Sequence, residues 1–165
     1  MIFLIMGVSG SGKTTIGEGL AKRLGCPFSD ADEFHSNANK QKMAQGIALT
    51  DEDRWPWLDE IRAAMQKAYD QKQNHVFACS ALKKAYRERL QTATSNTVLV
   101  FLNGPVDVLA ERIGNRRGHF FDPRLLHSQI ETLEPPTHEE ALLMDIRQSP
   151  TEIIESIIRQ SGQRL

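Results

Sequence analysis

Short apolar segments recur along the chain and are separated by longer stretches with helical spacing. Continuous apolar runs of roughly 4–8 residues are typical of strands that are covered on both faces, as in a parallel sheet. Four such segments, and a fifth shorter one, predict strands at residues 2–6, 27–29, 76–79, 98–102 and 142–146.

Amphipathic spacing between these segments predicts the helices. They are expected at residues 14–24, 51–69, 82–90 and 106–113, and a last helix begins at Pro150. The alternation of strand and helix predicts an α/β fold, a three-layer sandwich around a parallel sheet of about five strands. In such a sheet the ligand crevice lies at the carboxyl ends of the strands.

The composition is that of a globular protein and argues against several classes of function. The 165 residues suit one domain spanning 1–165. Because 20 Lys and Arg balance 21 Asp and Glu, no global positive field is available to hold nucleic acid or an anionic membrane. No apolar run approaches the ~20 residues of a membrane span. Cys26 and Cys79 lack the spacing of a metal site, which indicates free thiols in the reducing cytoplasm.

A glycine-rich segment follows the first predicted strand. Residues 7–14 read G-V-S-G-S-G-K-T and match the phosphate-binding pattern G-x-x-x-x-G-K-[ST] at every specified position. The strand before it and the helix after it disfavour a simple glycine turn with a solvated lysine. We expect Lys13 to reach the β- and γ-phosphates and the Thr14 hydroxyl to bind Mg²⁺. The predicted nucleotide-binding residues here are Gly7, Ser9, Gly10, Ser11, Gly12, Lys13, Thr14 and Thr15.

Two further signatures separate the classes of nucleotide-binding protein. The segment N-K-Q-K at 39–42 has lysine where the guanine-reading N-K-x-D motif of GTPases has aspartate. The third and fourth predicted strands lead into Ser80 and Asn103, not into the acidic residue of motor ATPases. Both departures, together with the small size, favour a compact kinase.

Asp30 and Asp32 follow the second predicted strand. At positions i and i+2 of an extended segment, both carboxylates can enter the crevice. One would accept the proton of an attacking hydroxyl, and the other would orient the acceptor or reach Mg²⁺ through water. The alternative is a turn or a helix cap, where Asp is common.

A segment dense in charge and aromatic residues opens the second predicted helix. Thr50 and Asp53 have the spacing of a capping box, which accounts for both as structural residues. Arg54 is not explained in this way and is a candidate clamp for a carboxylate or phosphate. Trp55 and Trp57 are expected to be packing residues.

A basic segment follows the third predicted strand. With Ser80 as the helix cap, Lys83 and Arg87 lie four residues apart and are predicted to share one face that holds an anionic substrate. The competing interpretation is a solvated basic stripe, and it applies most strongly to Lys84.

A polar loop at about 114–123 is predicted to form a mobile lid over the crevice. Arginines on such a loop can close over transferring phosphoryl groups. The cluster consists of Arg112, Arg116, Arg117 and His119, the first two assigned to the nucleotide and the last two to the acceptor. The alternatives are a nucleic-acid patch, which the balanced charge disfavours, and an ordinary surface loop.

Together these motifs resemble those of gluconokinases of the small phosphate-loop type, relatives of shikimate and nucleoside-monophosphate kinases. The resemblance runs nearly end to end, and its most specific segments are C-S-A-L-K at 79–83 and G-H-F-F at 118–121. The other segments are the phosphate loop, D-A-D at 30–32 with His35, K-M-A at 42–44, D-E-D-R-W-P-W-L at 51–58, Tyr86 with Arg87, and Q-I-E-T-L-E-P-P at 129–136.

The resemblance implies ATP-dependent phosphorylation of D-gluconate at its 6-hydroxyl, giving 6-phosphogluconate. It also implies cytoplasmic sugar-acid metabolism and a homodimer. Ala31 stands where the family often has glycine, and Pro105 follows Gly104 where an acidic residue is common. Neither departure touches a group with a proposed chemical role.

A sugar acid needs cations for its carboxylate and polar groups for its hydroxyls. The candidate anchors are Arg54, Lys83 and Arg87 for the carboxylate and Asp32, His35 and Ser80 for the hydroxyls, with Arg117 and His119 from the lid. In the implied mechanism Asp30 or Asp32 deprotonates the 6-hydroxyl. Lys13, Mg²⁺ and lid arginines such as Arg116 stabilise the transferring phosphoryl group.

Other functions stay open at this stage. A shikimate kinase would carry a run of glycines after the third strand, where this chain has C-S-A at 79–81. A nucleoside-monophosphate kinase would need a pocket that stacks a base. A non-catalytic nucleotide-binding regulator is disfavoured by the intact Lys13, Thr14, Asp30 and Asp32, and a nucleic-acid-binding protein by the charge balance.

Overall fold

A sheet of five parallel strands runs through the part of the chain that the computed structural model describes, residues 1–91, 96–114 and 123–162. The strand order is β2-β3-β1-β4-β5. The strands are β1 (Ile2–Met6), β2 (Phe28–Asp30), β3 (His75–Ala78), β4 (Thr97–Asn103) and β5 (Leu142–Asp145). Each predicted strand is confirmed to within one residue at either end.

The central strand β1 explains why these segments read as continuous apolar runs. It pairs with β3 on one side and β4 on the other, and all five of its residues are buried. Successive side chains alternate between the two faces of the sheet, so Ile2 and Leu4 enter one core cluster while Phe3 and Ile5 enter the other. Both faces must therefore be covered by helices.

Helices cover the sheet on both sides and complete the predicted three layers. They are α1 (Lys13–Leu24), α2 (Asn37–Ala44), α3 (Asp51–Asp70), α4 (Lys84–Leu90), α5 (Val106–Gly114), α6 (Pro123–Thr132) and α7 (Pro150–Gly162). Apolar residues of α1, α5, α6 and α7 share one core cluster, and those of α3 and α4 share the other. Within the described ranges, none of these helices has the length and apolar character needed to cross a bilayer.

Two of these helices were not predicted. The eight residues of α2 are mostly polar, and Asn39 is the buried one, so no apolar period marks this helix. It begins because the Ser36 hydroxyl accepts a hydrogen bond from the Asn39 N–H at 3.2 Å. Gly114 ends α5 and Pro123 begins α6, although both were assigned to the loop. Residues 115–122, where the rest of the predicted lid falls, lie outside the described residues.

The start of α4 corrects another prediction. The helix begins at Lys84, not at Leu82, and Ser80 is not its cap. Lys83 occupies the cap position without a side-chain hydrogen bond to the helix. The cap comes from a distant segment, since Glu134 Oε1 accepts from the Lys84 N–H at 2.8 Å. Local sequence could not reveal a cap that lies 50 residues away.

Candidate active site

The loop at residues 7–12 joins β1 to α1 and depends on glycine for its shape. Gly12 precedes α1 with a left-handed φ of 95°, which other residues rarely adopt. A Cβ on Gly7 would lie 2.6 Å from Ser11 Oγ and 2.9 Å from the Leu102 carbonyl oxygen, so no side chain fits there. The loop therefore leads tightly into the N-terminus of α1, where backbone N–H groups attract anions.

Lys13 folds back over this loop. Its Nζ donates to the carbonyl oxygens of Gly7 at 2.9 Å and Val8 at 3.2 Å. The ammonium thus lies beside the backbone that forms the phosphate cradle. A cation at this place is positioned to contact a bound triphosphate.

Thr14 and Asp30 bring two oxygen ligands together beside the phosphate loop. Thr14 Oγ1 donates to Asp30 Oδ2 at 3.2 Å. Mg²⁺ takes oxygen ligands and is commonly bound by one or two protein groups, with phosphates and water completing its shell. The donor set therefore fits Mg²⁺, and the assignment of the metal to these two residues stays a prediction.

The two carboxylates of the D-x-D segment have different surroundings. Asp30 ends β2, and its Oδ1 accepts from the Asp32 N–H at 3.0 Å, which caps a short 3-10 turn at Ala31–Phe34. Asp32 therefore lies on a turn, not on an extended segment as expected from sequence. Partial burial at the cavity raises the pKa of Asp32, and the positive charge of Lys13 opposes this rise. Solvent access through the open mouth of the cavity moderates the effect, because the Asp32 side chain is exposed.

A cavity of about 470 Å³ extends from the phosphate loop to the D-x-D segment and beyond. Its size is in the range of small-molecule sites. The predicted site residues that line it are Ser9, Gly10, Gly12, Lys13, Thr14, Asp30, Asp32, His35, Arg54 and Ser80. The structure thus brings these ten residues, taken from both the predicted nucleotide set and the predicted acceptor set, to one continuous cavity.

His35 lies on the wall of the cavity against Trp57. Their rings are stacked with centroids 3.9 Å apart, and the Trp57 indole N–H donates to the Ala31 carbonyl at 2.7 Å. Burial, together with the Arg54 charge, lowers the pKa of His35 to about 4, so the ring is neutral near pH 7. Asn39 Nδ2 contacts His35 Nδ1 at 3.3 Å. Because an amide nitrogen donates, this contact places the ring proton on Nε2.

Arg54 reaches the cavity from the first turns of α3. Its Nη1 donates to the Tyr86 hydroxyl at 2.8 Å, and that hydroxyl in turn donates to Asp51 Oδ1. Lys83 Nζ lies 3.2 Å from the same carboxylate. The Tyr86 and Lys83 hydrogen bonds lower the pKa of Asp51, which is therefore ionised near neutral pH. The predicted Thr50–Asp53 capping box next to this cluster is confirmed.

Lys83 and Arg87 do not share a face that lines the cavity. Lys83 pairs with Asp51 at the cap of α4. Arg87 is buried, and its Nη1 donates to the carbonyl oxygens of Ala81 at 3.0 Å and Leu82 at 3.2 Å. Its charge is met by a carboxylate of Glu140 at 3.6 Å. The prediction of a basic helical face for an anionic substrate is therefore wrong for this pair, because Arg87 holds a backbone turn.

Two further predicted nucleotide-binding residues, Arg112 and Thr15, lie on α5 and α1. The Arg112 guanidinium donates from Nη2 to the Ile146 carbonyl at 2.6 Å, and its Nη1 lies 4.0 Å from the point where a Gly12 Cβ would sit. It therefore borders the phosphate loop. Thr15 is exposed on α1. The predictions for Arg116, Arg117 and His119 lie outside the described residues.

Comparisons with known proteins identify the family of this chain. The protein-family model for shikimate kinase matches residues 9–161. A probable gluconokinase from Dictyostelium discoideum is 48% identical over 168 residues, which cover 95% of this chain and 84% of the relative. The chain belongs to the gluconokinase family. It is at the same time a member of the wider group described by the shikimate kinase model.

Solved structures place this gluconokinase-family chain among the phosphate-loop kinases. A sugar kinase from Janibacter sp. HTCC2649 superposes with a TM-score of 0.90 at 42% identity, covering 96% of this chain and 92% of that chain. A gluconokinase from Sinorhizobium meliloti 1021 gives a TM-score of 0.87 at 41% identity, covering 98% and 91%. These likenesses confirm the predicted phosphate-loop kinase fold.

Gln129 was not among the predicted site residues. It lies on α6, and its Oε1 accepts a hydrogen bond from the Ser9 N–H in the phosphate loop at 2.7 Å. Gln129 also lines the cavity, as do Leu125 and Ser128 of the same helix. The family segment at 129–136 contained the only sequence signal for it. In this gluconokinase-family fold, α6 is thus tied directly to the phosphate loop.

Proposed function

We propose that this protein is a gluconokinase that transfers the γ-phosphoryl group of ATP to the 6-hydroxyl of D-gluconate, giving 6-phospho-D-gluconate and ADP. The observation that carries the proposal is the single cavity that joins the phosphate loop, Asp30, Asp32 and Arg54. A phosphoryl donor and an anionic acceptor can therefore meet within it. The gluconokinases among its relatives support D-gluconate as the acceptor.

The donor side consists of the phosphate loop and the start of α1. The Lys13 ammonium and the N-terminal N–H groups of α1 bind the triphosphate. When bound, Mg²⁺ neutralises charge on the phosphates, and Thr14 and Asp30 would hold it. Arg112 borders the phosphate loop. Arg116 of the proposed lid would place a second positive charge near the phosphoryl group during transfer.

Asp32 is the proposed general base. Asp30 is engaged by Thr14 and by the Asp32 N–H, which leaves the Asp32 carboxylate for the acceptor. Its raised pKa makes it a stronger base than an ordinary aspartate. Asp32 accepts the proton of the 6-hydroxyl as that oxygen forms a bond to the γ-phosphorus, and the bond from phosphorus to the departing ADP oxygen breaks.

The acceptor is held at its other end by Arg54. A guanidinium can bind a carboxylate through two parallel hydrogen bonds. His35 offers a neutral Nε2–H, and Ser80 a hydroxyl, to the hydroxyls of the sugar acid. Arg117 and His119 of the proposed lid, now limited to 115–122, would complete the acceptor site.

The cellular setting is also part of the proposal. We place the protein in the cytoplasm, where ATP is available and free thiols persist, since Cys26 and Cys79 are both free. We further propose that the chain, one domain over 1–165, works as a homodimer. Light scattering of the purified protein tests this, and a monomer mass at working concentration would refute the dimer.

A coupled ADP-release assay with Mg-ATP tests the reaction. The acceptors are D-gluconate, other aldonates, shikimate, AMP and water alone. We expect turnover with D-gluconate well above that with water, and NMR of the product should show coupling of phosphorus to carbon 6. Turnover with shikimate or AMP in its place would refute the acceptor, and ATP binding without turnover on any acceptor would refute the kinase.

A further inference from the structure

The Tyr86 hydroxyl lies between two groups of opposite charge on α3. It accepts from Arg54 Nη1 at 2.8 Å and donates to Asp51 Oδ1. Asp51 and Arg54 are three residues apart on one helix, a spacing at which side chains are neighbours and opposite charges pair. The hydroxyl therefore separates a cation from the carboxylate that its own helix places beside it.

A second cation supplies the charge that Asp51 needs. Lys83 Nζ lies 3.2 Å from Asp51 Oδ1 and 3.4 Å from Oδ2. Three formal charges thus meet around one tyrosine, two positive and one negative. Because Lys83 is the ion-pair partner of Asp51, the charge of Arg54 is left to face the cavity that it lines.

The Tyr86 ring is fixed by its surroundings. The residue is only 1% exposed, and the Trp55 ring meets it edge-on with centroids 5.6 Å apart. The guanidinium carbon of Arg54 lies 5.3 Å from the ring centroid. A buried, tightly packed ring holds its hydroxyl at a defined place, so Arg54 is held there too.

We infer that Tyr86 is a positioning residue, which holds the Arg54 guanidinium in the acceptor cavity and keeps it from pairing with Asp51. The inference rests on the proposed role of Arg54 as the anchor for the substrate carboxylate. Without the hydroxyl, Arg54 would turn back to Asp51 along α3. The cavity would then lose the cation that recognises the acid group of the substrate.

The test is the Tyr86→Phe variant, which removes only the hydroxyl. Because a hydrogen bond to a charged group is lost, the KM for D-gluconate should rise about 10- to 100-fold. The KM for ATP should stay within about twofold, since the phosphate loop is untouched. Tyr69→Phe is the matched control, because Tyr69 is the only other tyrosine in the chain and lies at the far end of α3.

A second substitution separates positioning from simple structural damage. In the Tyr86→Phe background, Asp51→Asn removes the carboxylate that would capture Arg54, so the KM for D-gluconate should fall back toward the wild-type value. If Tyr86 merely supports the fold, the second change would add further loss and both KM values would rise together. That outcome would overturn the inference.

A crystal structure of Tyr86→Phe gives a readout that does not depend on turnover. We expect a direct contact between the Arg54 guanidinium and the Asp51 carboxylate, and an Arg54 that still points into the cavity would refute the inference. An unchanged KM for D-gluconate in Tyr86→Phe would refute it as well, while wild-type turnover leaves the proposed function intact. Absence of wild-type turnover would instead refute the proposed function.

Discussion

Trp57 supports the 3-10 turn at Ala31–Phe34, which carries the proposed base Asp32. The Trp57→Phe variant should measure that support. The indole N–H donates to the Ala31 carbonyl at 2.7 Å, and the ring stacks on His35. Ala31 is fully buried and lies between Asp30 and Asp32. Phenylalanine keeps an aromatic ring at the site but removes the donor to this carbonyl.

The expected loss follows from two contributions. The Ala31 carbonyl keeps its hydrogen bond within the 3-10 turn, so losing the indole donor costs about 0.5–1.5 kcal/mol. The smaller ring gives up packing and part of the stack on His35, which adds about 1 kcal/mol. The free energy of unfolding should therefore fall by about 1.5–2.5 kcal/mol, which lowers the Tm by roughly 3–10 °C for a chain of this size. The kcat should fall as well, because Asp32 moves with the turn.

Urea unfolding and steady-state kinetics measure both effects, with Trp55→Phe as the matched control. Trp55 is half-buried, and its ring contacts the Tyr86 ring edge-on. The Arg89 guanidinium carbon lies over the Trp55 ring, 5.0 Å from its centroid. Its replacement should cost no more than about 1 kcal/mol. Equal losses of unfolding free energy in the two variants would refute the role assigned to the indole N–H.

Three further predictions concern the chemistry and the turn after β3. Lys13→Ala should lower kcat at least about 100-fold without a loss of fold. Lys22→Ala is the control in the exposed last turn of α1 and should leave kcat unchanged. A near-normal kcat in Lys13→Ala would contradict the assignment of Lys13 to the bound phosphates. The kcat/KM should fall as the pH drops through the pKa of Asp32, which lies above the ordinary aspartate value, because only the ionised base accepts the proton. Asp32→Asn should abolish this acid limb and lower kcat about 10²–10⁴-fold, and a wild-type-like pH profile in that variant would exclude Asp32 as the base. Arg87→Leu should lower the unfolding free energy by about 1–3 kcal/mol, because the buried Ala81 carbonyl loses its donor while the Leu82 carbonyl keeps only the Glu134 N–H. A large rise in the KM for D-gluconate in this variant, without a loss of stability, would instead support the original prediction that Arg87 binds the anionic substrate.

The sheet and the phosphate loop were predictable because their signals are local. A buried strand such as Ile2–Met6 needs a continuous apolar run, and the loop at 7–12 needs glycine where backbone atoms approach closely. The capping box at Thr50 was readable for the same reason. Each of these features leaves its signal in residues that are close together in sequence.

Features that depend on tertiary contacts were not readable. The cap of α4 comes from Glu134, and the acceptor for the Ser9 N–H comes from Gln129, both far along the chain. Arg87 was predicted to line the acceptor site because its spacing from Lys83 fits one helical face. In the structure Arg87 is buried and donates to the carbonyl of Ala81, whose φ of 46° is unusual for a residue with a side chain.

In the proposed mechanism, the residues for phosphoryl transfer and those for substrate selection come from different parts of the fold. Ile5 of β1 and Asp30 of β2 both pair in register with Ala78 of β3, so the loop, the carboxylates and Ser80 extend from one level edge of the sheet. Arg54 comes instead from α3, and its orientation depends on Tyr86 of α4. If Arg54 anchors the substrate as proposed, a change at the contact between α3 and α4 would alter which acid is bound, while the phosphate loop and the proposed base keep their places on the sheet. We expect differences in acceptor preference among related kinases to map to this contact between helices.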